Sequence, residues 1–267
     1  MTRRTTSLAV ASLAAASLIT LGSASASAKD HADFALEFIE RATPEGNAWG
    51  TPCSINWENF TGTTKAACFF TLALQKSMGY TDVDTYSMWG SSSPTSDKYF
   101  DLINLSPALG APPSDEGETY FRRIRRAVDI RKGDVMAIGA TSTYAGHTLI
   151  ILDEPIELTT QVNPRYLDTK QFAVRIADST NASHGCNASY ADTRWSGECS
   201  TGYMEGGAGT GYIRLYAQAS TGVLLGYTWS VTSSATSYYS PSTRPYRIGR
   251  LFRLPEPQST ELPPPPP

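Results

Sequence analysis

An α+β domain, helices first and an antiparallel sheet second, is the fold class this sequence predicts. Apolar residues recur at three- and four-residue steps in segments up to Val128, the spacing of helices that bury one side. Beyond that point the pattern shortens to alternation, and six strand-like segments follow with turn residues between them. Helices followed by a run of strands is the order of an α+β domain rather than of a parallel α/β one. The 267 residues, 40% hydrophobic and 18% charged, suffice for one sizeable core.

The first 28 residues read as a secretory signal peptide. Arg3 and Arg4 form a basic start, an apolar run extends from Leu8 to Leu21, and Ala26-Ser27-Ala28 has the small residues of a cleavage site. The expected location is therefore secreted or periplasmic, in the cell envelope. No later stretch reaches the length of apolar residues that a membrane span needs. Removing Arg3 and Arg4 leaves 20 basic against 25 acidic residues, a net charge of −5. That balance gives no footprint for nucleic acid.

In the mature part, Asp30 caps an amphipathic helix to Arg41, with Phe34, Ala35, Phe38 and Ile39 on one side and His31 as a solvated histidine. Ala42 to Gly62 is a Gly-, Pro- and Asn-rich loop that holds Cys53 and Trp57. The next helix carries Ala66, Phe69, Phe70, Ala73, Leu74 and Ser77 as its buried stripe, Thr63 or Thr64 as cap and Gly79 as its left-handed end. Cys68 lies in the first turn of this helix. Asp97 to Leu105 and Glu118 to Ala127 read as two more helices, the second with Tyr120, Phe121, Ile124 and Val128 inward and the run Arg122, Arg123, Arg125 and Arg126 in solvent. The strands are Asp134–Ile138, His147–Leu152, Gln171–Ala177, Gly211–Tyr216, Val223–Trp229 and Tyr246–Phe252. The glycine run Gly206 to Gly211 follows Asp192-Thr193-Arg194 and precedes a strand, so it reads as a flap over a cleft and not as a phosphate loop. Pro255 to Pro267 is an extended tail outside the fold. The mature chain is thus one domain, residues 29–254, with residues 255–267 appended.

Two constellations carry chemistry. A thiol in the first turn of a helix lies among unpaired N–H groups at the positive end of the dipole, which favours thiolate. His147 opens the second strand and Asp178 closes the third, so if those strands are antiparallel neighbours the two side chains share one sheet edge. A Cys68–His147–Asp178 set would then provide nucleophile, base and orienting acceptor. His184, in a loop, competes with His147 and Asp178 for these roles. The cysteines hold the counter-argument. An exported chain permits disulfides, and four cysteines allow three full pairings. Cys186 and Cys199 flank one loop and form the first expected bridge. A Cys53–Cys68 bridge is the open alternative, and it would make the helix cysteine structural. A zinc site from His184, Cys186 and Cys199 lacks a fourth ligand and standard spacing.

A cysteine opening a helix, Lys132-Gly133-Asp134-Val135 before a strand, Gly146-His147 opening the next, and Asp178-Ser179 closing a third together resemble the NlpC/P60 superfamily of papain-like cysteine peptidases. The resemblance covers residues 42–252. It implies a circularly permuted papain-like fold, the nucleophile helix packed on a small antiparallel sheet, with Cys68 as nucleophile, His147 as base and Asp178 as orienter. It implies a hydrolase that forms an acyl-enzyme on an amide, here a peptide or peptidoglycan substrate, without cofactor or metal, acting as a monomer. The family's Asp-Cys-Ser-Gly-Phe is replaced by Ala67-Cys68-Phe69-Phe70-Thr71, and Trp57 is the nearest aromatic candidate for an oxyanion donor. Two other functions stay open on the same fold: an inactive, disulfide-stapled binding module, and an acyltransferase using the same intermediate.

Overall fold

The computed structural model describes residues 29–112, 119–198 and 202–258. The expected signal peptide, Cys199 and the terminal prolines lie outside the described residues.

In chain order the elements are α1 (His31–Arg41), β1 (Asn47–Trp49), β2 (Ser54–Asn56), β3 (Thr61–Thr64), α2 (Ala67–Met78), α3 (Asp82–Trp89), α4 (Ser96–Leu105), β4 (Phe121–Ile124), β5 (Val135–Ile138), β6 (His147–Ile151), β7 (Ile156–Glu157), β8 (Thr169–Thr180), β9 (Trp195–Ser196), β10 (Tyr203–Met204), β11 (Gly207–Gln218), β12 (Leu224–Thr228), β13 (Tyr238–Tyr239) and β14 (Tyr246–Leu251). The large sheet runs β13-β12-β11-β8-β6-β5-β14-β4, with β7 beside β8, and all of its pairings are antiparallel. The Leu224 N–H donates to the Arg125 carbonyl at 2.9 Å, and Arg126 bridges to Val223. These contacts bring the end of β4 against the start of β12, so the sheet curls towards a closed barrel.

The expected α+β class is present, with strands that are apolar on both faces. Along β5 and β6, Val135, Ala137 and Ile150 join the core beneath the helices, while Met136, Ile138, Leu149 and Ile151 fill the inside of the curl. A strand covered on both faces reads as a continuous apolar run, and the period of two then only sorts residues between two cores. The helix layer lies on the outer face. Phe69, Phe70 and Leu74 of α2 are at most 2% exposed, each contributing about 1.5–3 kcal/mol by burial.

Several expectations need correction. The segment from Glu118 to Ala127 is not a helix: Phe121–Ile124 is β4, paired with β14, and a 3-10 turn follows at Ala127–Asp129. Phe121 and Ile124 are buried as expected, but Val128 is 59% exposed. The spacing of apolar residues fitted a helix, yet β14 offered an open edge whose hydrogen bonds the segment completes. Neither Thr63 nor Thr64 caps α2. Both belong to β3, the Thr64 hydroxyl donates to Ser179 Oγ at 2.9 Å, and the cap position is Ala66, with no side-chain cap. Gly206 to Gly211 is no flap, since β11 begins at Gly207 and forms a twelve-residue ladder with β8. The tail is docked at its start: Tyr80 donates its hydroxyl to the Pro255 carbonyl, and the Gln258 N–H donates to Asp84 Oδ1 at 2.8 Å.

His31 is buried, not solvated. It meets Phe70 edge-on, and its Nε2 donates to the Gly133 carbonyl at 2.9 Å. Burial pushes its titration below the ordinary histidine range, outweighing the pull of Asp30 and that carbonyl. The folded state therefore binds this proton less readily than the unfolded chain. Stability is full above the ordinary value of about 6.5 and falls as the pH drops through it. Urea titrations between neutral and mildly acid pH should show this loss in the wild type and a flatter profile in His31→Gln.

Candidate functional site

Asp178 near the end of β8 is the point on which the site is built. Residues Ile150 and Ile151 pair with Ala177 and Ile176, which sets the start of β6 beside the end of β8. His147 Nε2 donates to Asp178 Oδ2 at 2.6 Å. Gly146, at φ +87°, makes the turn into β6; a Cβ there would stand 2.8 Å from the Ile138 carbonyl.

The same carboxylate is held from two other sides. Arg194 Nη1 donates to Asp178 Oδ1 at 2.7 Å, and His184 Nε2 donates to Oδ2 at 2.9 Å. Arg194 also makes hydrogen bonds to Asp192 through Nε and Nη2, both at 2.9 Å. His184 Nδ1 faces the Trp229 carbonyl at 2.6 Å. A carbonyl on one ring nitrogen and a carboxylate on the other hold the His184 ring from both sides. Asp178 and Asp192 share the Arg194 guanidinium between them. Burial alone would raise the Asp178 carboxyl; the charges of Arg194 and His184 and the two histidine hydrogen bonds outweigh it and hold the group well below the usual carboxylate range. Burial likewise opposes the charge on Arg194, but the two aspartates raise its affinity for the proton overall.

The glycines of β11 are what admit this network. A Cβ on Gly209 would lie 2.8 Å from Arg194 Cγ, and one on Gly211 would lie 2.8 Å from His184 Cβ. Gly209 pairs with Asp178 and Gly211 with Ile176 across the ladder.

Beside the network is an open cleft of about 460 Å³, into which His147, Ala66, Trp49, Tyr144, Trp229 and Arg244 reach, with Lys65 and Asn181 also at its wall. His147 spends Nε2 on Asp178, which leaves Nδ1 as the ring nitrogen with a lone pair for a ligand. Trp229 stacks on His184 at 4.2 Å between ring centroids and meets His147 edge-on at 5.1 Å. The Arg244 guanidinium is flanked by Tyr144 at 3.9 Å and Tyr239 at 3.7 Å. Lys65 lies over Trp49 at 5.0 Å. Among the described residues neither cation has an ion pair, and the cleft lining holds no carboxylate.

Cys68 is absent from this cleft. Its sulfur is bonded to Cys53, with Cα atoms 6.4 Å apart, so the expected nucleophile carries no thiol. The sheet geometry explains its distance from the histidine. His147 shares the inward side of β6 with Leu149 and Ile151, and Asp178 shares that side of β8 with Ile176, whereas α2 packs on the opposite face, on Ile150 and Ala177. Helix and dyad meet only at the strand ends, and there the helix presents Ala66. This residue has φ +39° and ψ −112°, a conformation that costs a non-glycine residue on the order of 1–3 kcal/mol. Its N–H donates to the Ser179 carbonyl at 2.9 Å, which fixes it.

Of the other expected site residues, Trp57 packs edge-on against Phe34 and Phe38 and does not wall the cleft. Cys186 is disulfide-bonded, and its expected partner Cys199 lies outside the described residues. Arg194, Trp229, Trp49, Lys65 and Arg244 were not singled out from sequence as site residues. Arg194 had a signal in Asp192-Thr193-Arg194 ahead of the glycine run. Arg244 had none, because nothing local marks an arginine that stacks between two distant tyrosines.

The chain matches no family model, no curated protein and no solved structure.

Arg194→Leu should leave the two buried carboxylates of Asp178 and Asp192 without the guanidinium they share. The expected loss is about 3–5 kcal/mol of unfolding free energy, measured by urea denaturation at neutral pH. Loss of under about 1 kcal/mol, the worth of an exposed ion pair, would show that the network is hydrated and not buried.

Proposed function

We propose that this chain is an exported, disulfide-stapled binding module on an NlpC/P60-like fold, and that its cleft holds a carboxylate-bearing peptide of the peptidoglycan class. The observation that carries the reading is the Cys53–Cys68 bond. It occupies the one sulfur suited to nucleophilic attack while the cleft beside His147 keeps a formed shape and a formed charge.

The cleft chemistry supports an organic anion. Arg244 offers the edge of a planar guanidinium, which matches a carboxylate with two parallel hydrogen bonds. Lys65 adds a second positive charge. The N-terminus of α2 opens at Ala66 without a side-chain cap, so the positive end of its dipole favours a negative group there. Trp49, Tyr144 and Trp229 provide flat apolar surface for the body of a peptide or sugar. His147 Nδ1, as an acceptor, can take an N–H of the ligand.

A second reading is favoured by the His147–Asp178 hydrogen bond, whose free Nδ1 is the nitrogen a general base would use. In that reading, reduction of Cys53–Cys68 releases a thiol and the chain hydrolyses or transfers an acyl group from the same ligand.

Calorimetric titration with a peptidoglycan peptide and with its carboxamide separates these. The binding module should take the free acid, lose about tenfold or more of its affinity in Arg244→Gln, and leave the peptide intact before and after mild reduction. Amide cleavage that appears only on reduction, and vanishes in both Cys68→Ser and His147→Ala, would replace the binding reading with the hydrolase.

A further inference from the structure

A second concave site lies on the far side of the sheet, where the edge strand β4 runs beside β14. Arg123, Arg125 and Arg247 line an open depression of about 300 Å³ there, with Val223, Leu224 and Pro241 as apolar wall and no carboxylate among its lining residues.

The backbone forces these arginines together. Ile124 pairs with Ile248 and Arg123 with Gly249 in the antiparallel ladder, which sets Arg123 diagonally beside Arg247, and Arg125 follows directly after the end of β4. Like charges set side by side in this way are unfavourable. Burial, then Arg125 and Arg247, make Arg123 a weaker base than an ordinary arginine. Its Nε is buried without a hydrogen-bond partner.

Two of the three side chains are held in place from behind. Arg247 donates from Nε to Asn104 Oδ1 at 2.8 Å and from Nη1 to the Tyr246 carbonyl at 2.8 Å. Arg123 donates from Nη1 to the Asn104 carbonyl at 3.1 Å. Their neighbours in the run are occupied differently: Arg126 holds Asp129 with two hydrogen bonds of 2.9 Å, and Arg122 lies over the Phe252 ring at 3.7 Å. Among the described residues Arg123, Arg125 and Arg247 have no acid to answer them.

We propose that this depression is a phosphate-binding site, separate from the cleft at His147, in which Arg125 closes on a phosphoryl group held by Arg123 and Arg247. A carboxylate would neutralise one guanidinium of the three. A phosphate monoester carries about two negative charges and three acceptor oxygens, enough to engage three forks. The group can come from a soluble phosphate monoester or from the monoester headgroup of phosphatidic acid, and the site reads the phosphoryl chemistry common to both. The proposal does not rest on the function assigned to the cleft.

Thermal unfolding of the mature protein in chloride and in inorganic phosphate, at matched ionic strength and pH, tests it. In chloride, Arg125→Gln should melt above the wild type, because one repelling charge is gone. In phosphate the wild type should gain several degrees and the variant little, since only the native site binds. Arg247→Gln should behave as Arg125→Gln does towards phosphate, with phosphate affinity about tenfold below wild type. An equal phosphate gain in wild type and both variants would be a general salt effect and would overturn the proposal, as would no gain in any. Sedimentation with phosphatidic acid vesicles, compared with phosphatidylcholine, names the source: retention that Arg125→Gln abolishes assigns the lipid headgroup, and phosphate stabilisation without retention assigns a soluble ester.

Discussion

The carboxylate of Asp178 is the constraint around which the strand ends are arranged. A buried carboxylate is tolerated only where donors satisfy both oxygens and a cation offsets the charge. Here three donors converge from two separate parts of the chain: His147 from the start of β6, His184 and Arg194 from the segment between β8 and β11. Arg194 and His184 fit only because β11 has no side chain at positions 209 and 211. The His184 ring in turn carries Trp229 on its face. One wall of the cleft is therefore set by electrostatics, not by the pliable packing of a surface loop.

The other wall is set by which face of the sheet a residue occupies. Strand alternation sends His147 and Asp178 inward and reserves the outer face for α2. Where the chain rounds the strand end into that helix, the residue lining the cleft is the cap, Ala66. Cys68, two residues on, is buried and bonded to Cys53. The stapled helix gains a shorter unfolded-state loop, and for the fifteen-residue separation of this pair the entropic account gives about 3 kcal/mol. The bond thus stabilises the same helix whose N-terminus faces the cleft.

Much of this was legible in the residues. Asp30 as a cap, Gly79 as a helix end, the strands at Val135 and His147, and the meeting of His147 with Asp178 all followed from local chemistry and pairing logic. What misled were cases in which a distant partner changed the meaning of a local pattern. Phe121 and Ile124 have helical spacing until β14 supplies an open edge. His31 opens a helix like any surface histidine until Gly133 and Phe70 close over it. The glycines from 206 to 211 read as flexible because their use, making room for Arg194 and His184, belongs to residues more than ten positions away. The choice between a Cys68 thiol and a Cys53–Cys68 bond was even harder to read, since both need cysteine at the same place. The side of the sheet decides it, and the sequence does not label sides.

The distribution of charge separates the two concave surfaces from the rest of the molecule. The chain as a whole is acidic, with a formal charge of −3. Its buried acids are engaged, Asp134 with Arg250 and Asp178 and Asp192 with Arg194, and so are surface acids such as Asp33 with Lys132 and Asp129 with Arg126. Each depression gathers cations without such partners, Lys65 and Arg244 in one and Arg123, Arg125 and Arg247 in the other. Positive charge left unanswered in a concave place concentrates anions there. The two sites then divide anions by shape. Tryptophan and tyrosine rings around a single guanidinium edge suit a carboxylate carried on an organic body. Three guanidiniums gathered at one depression suit a compact group of higher charge.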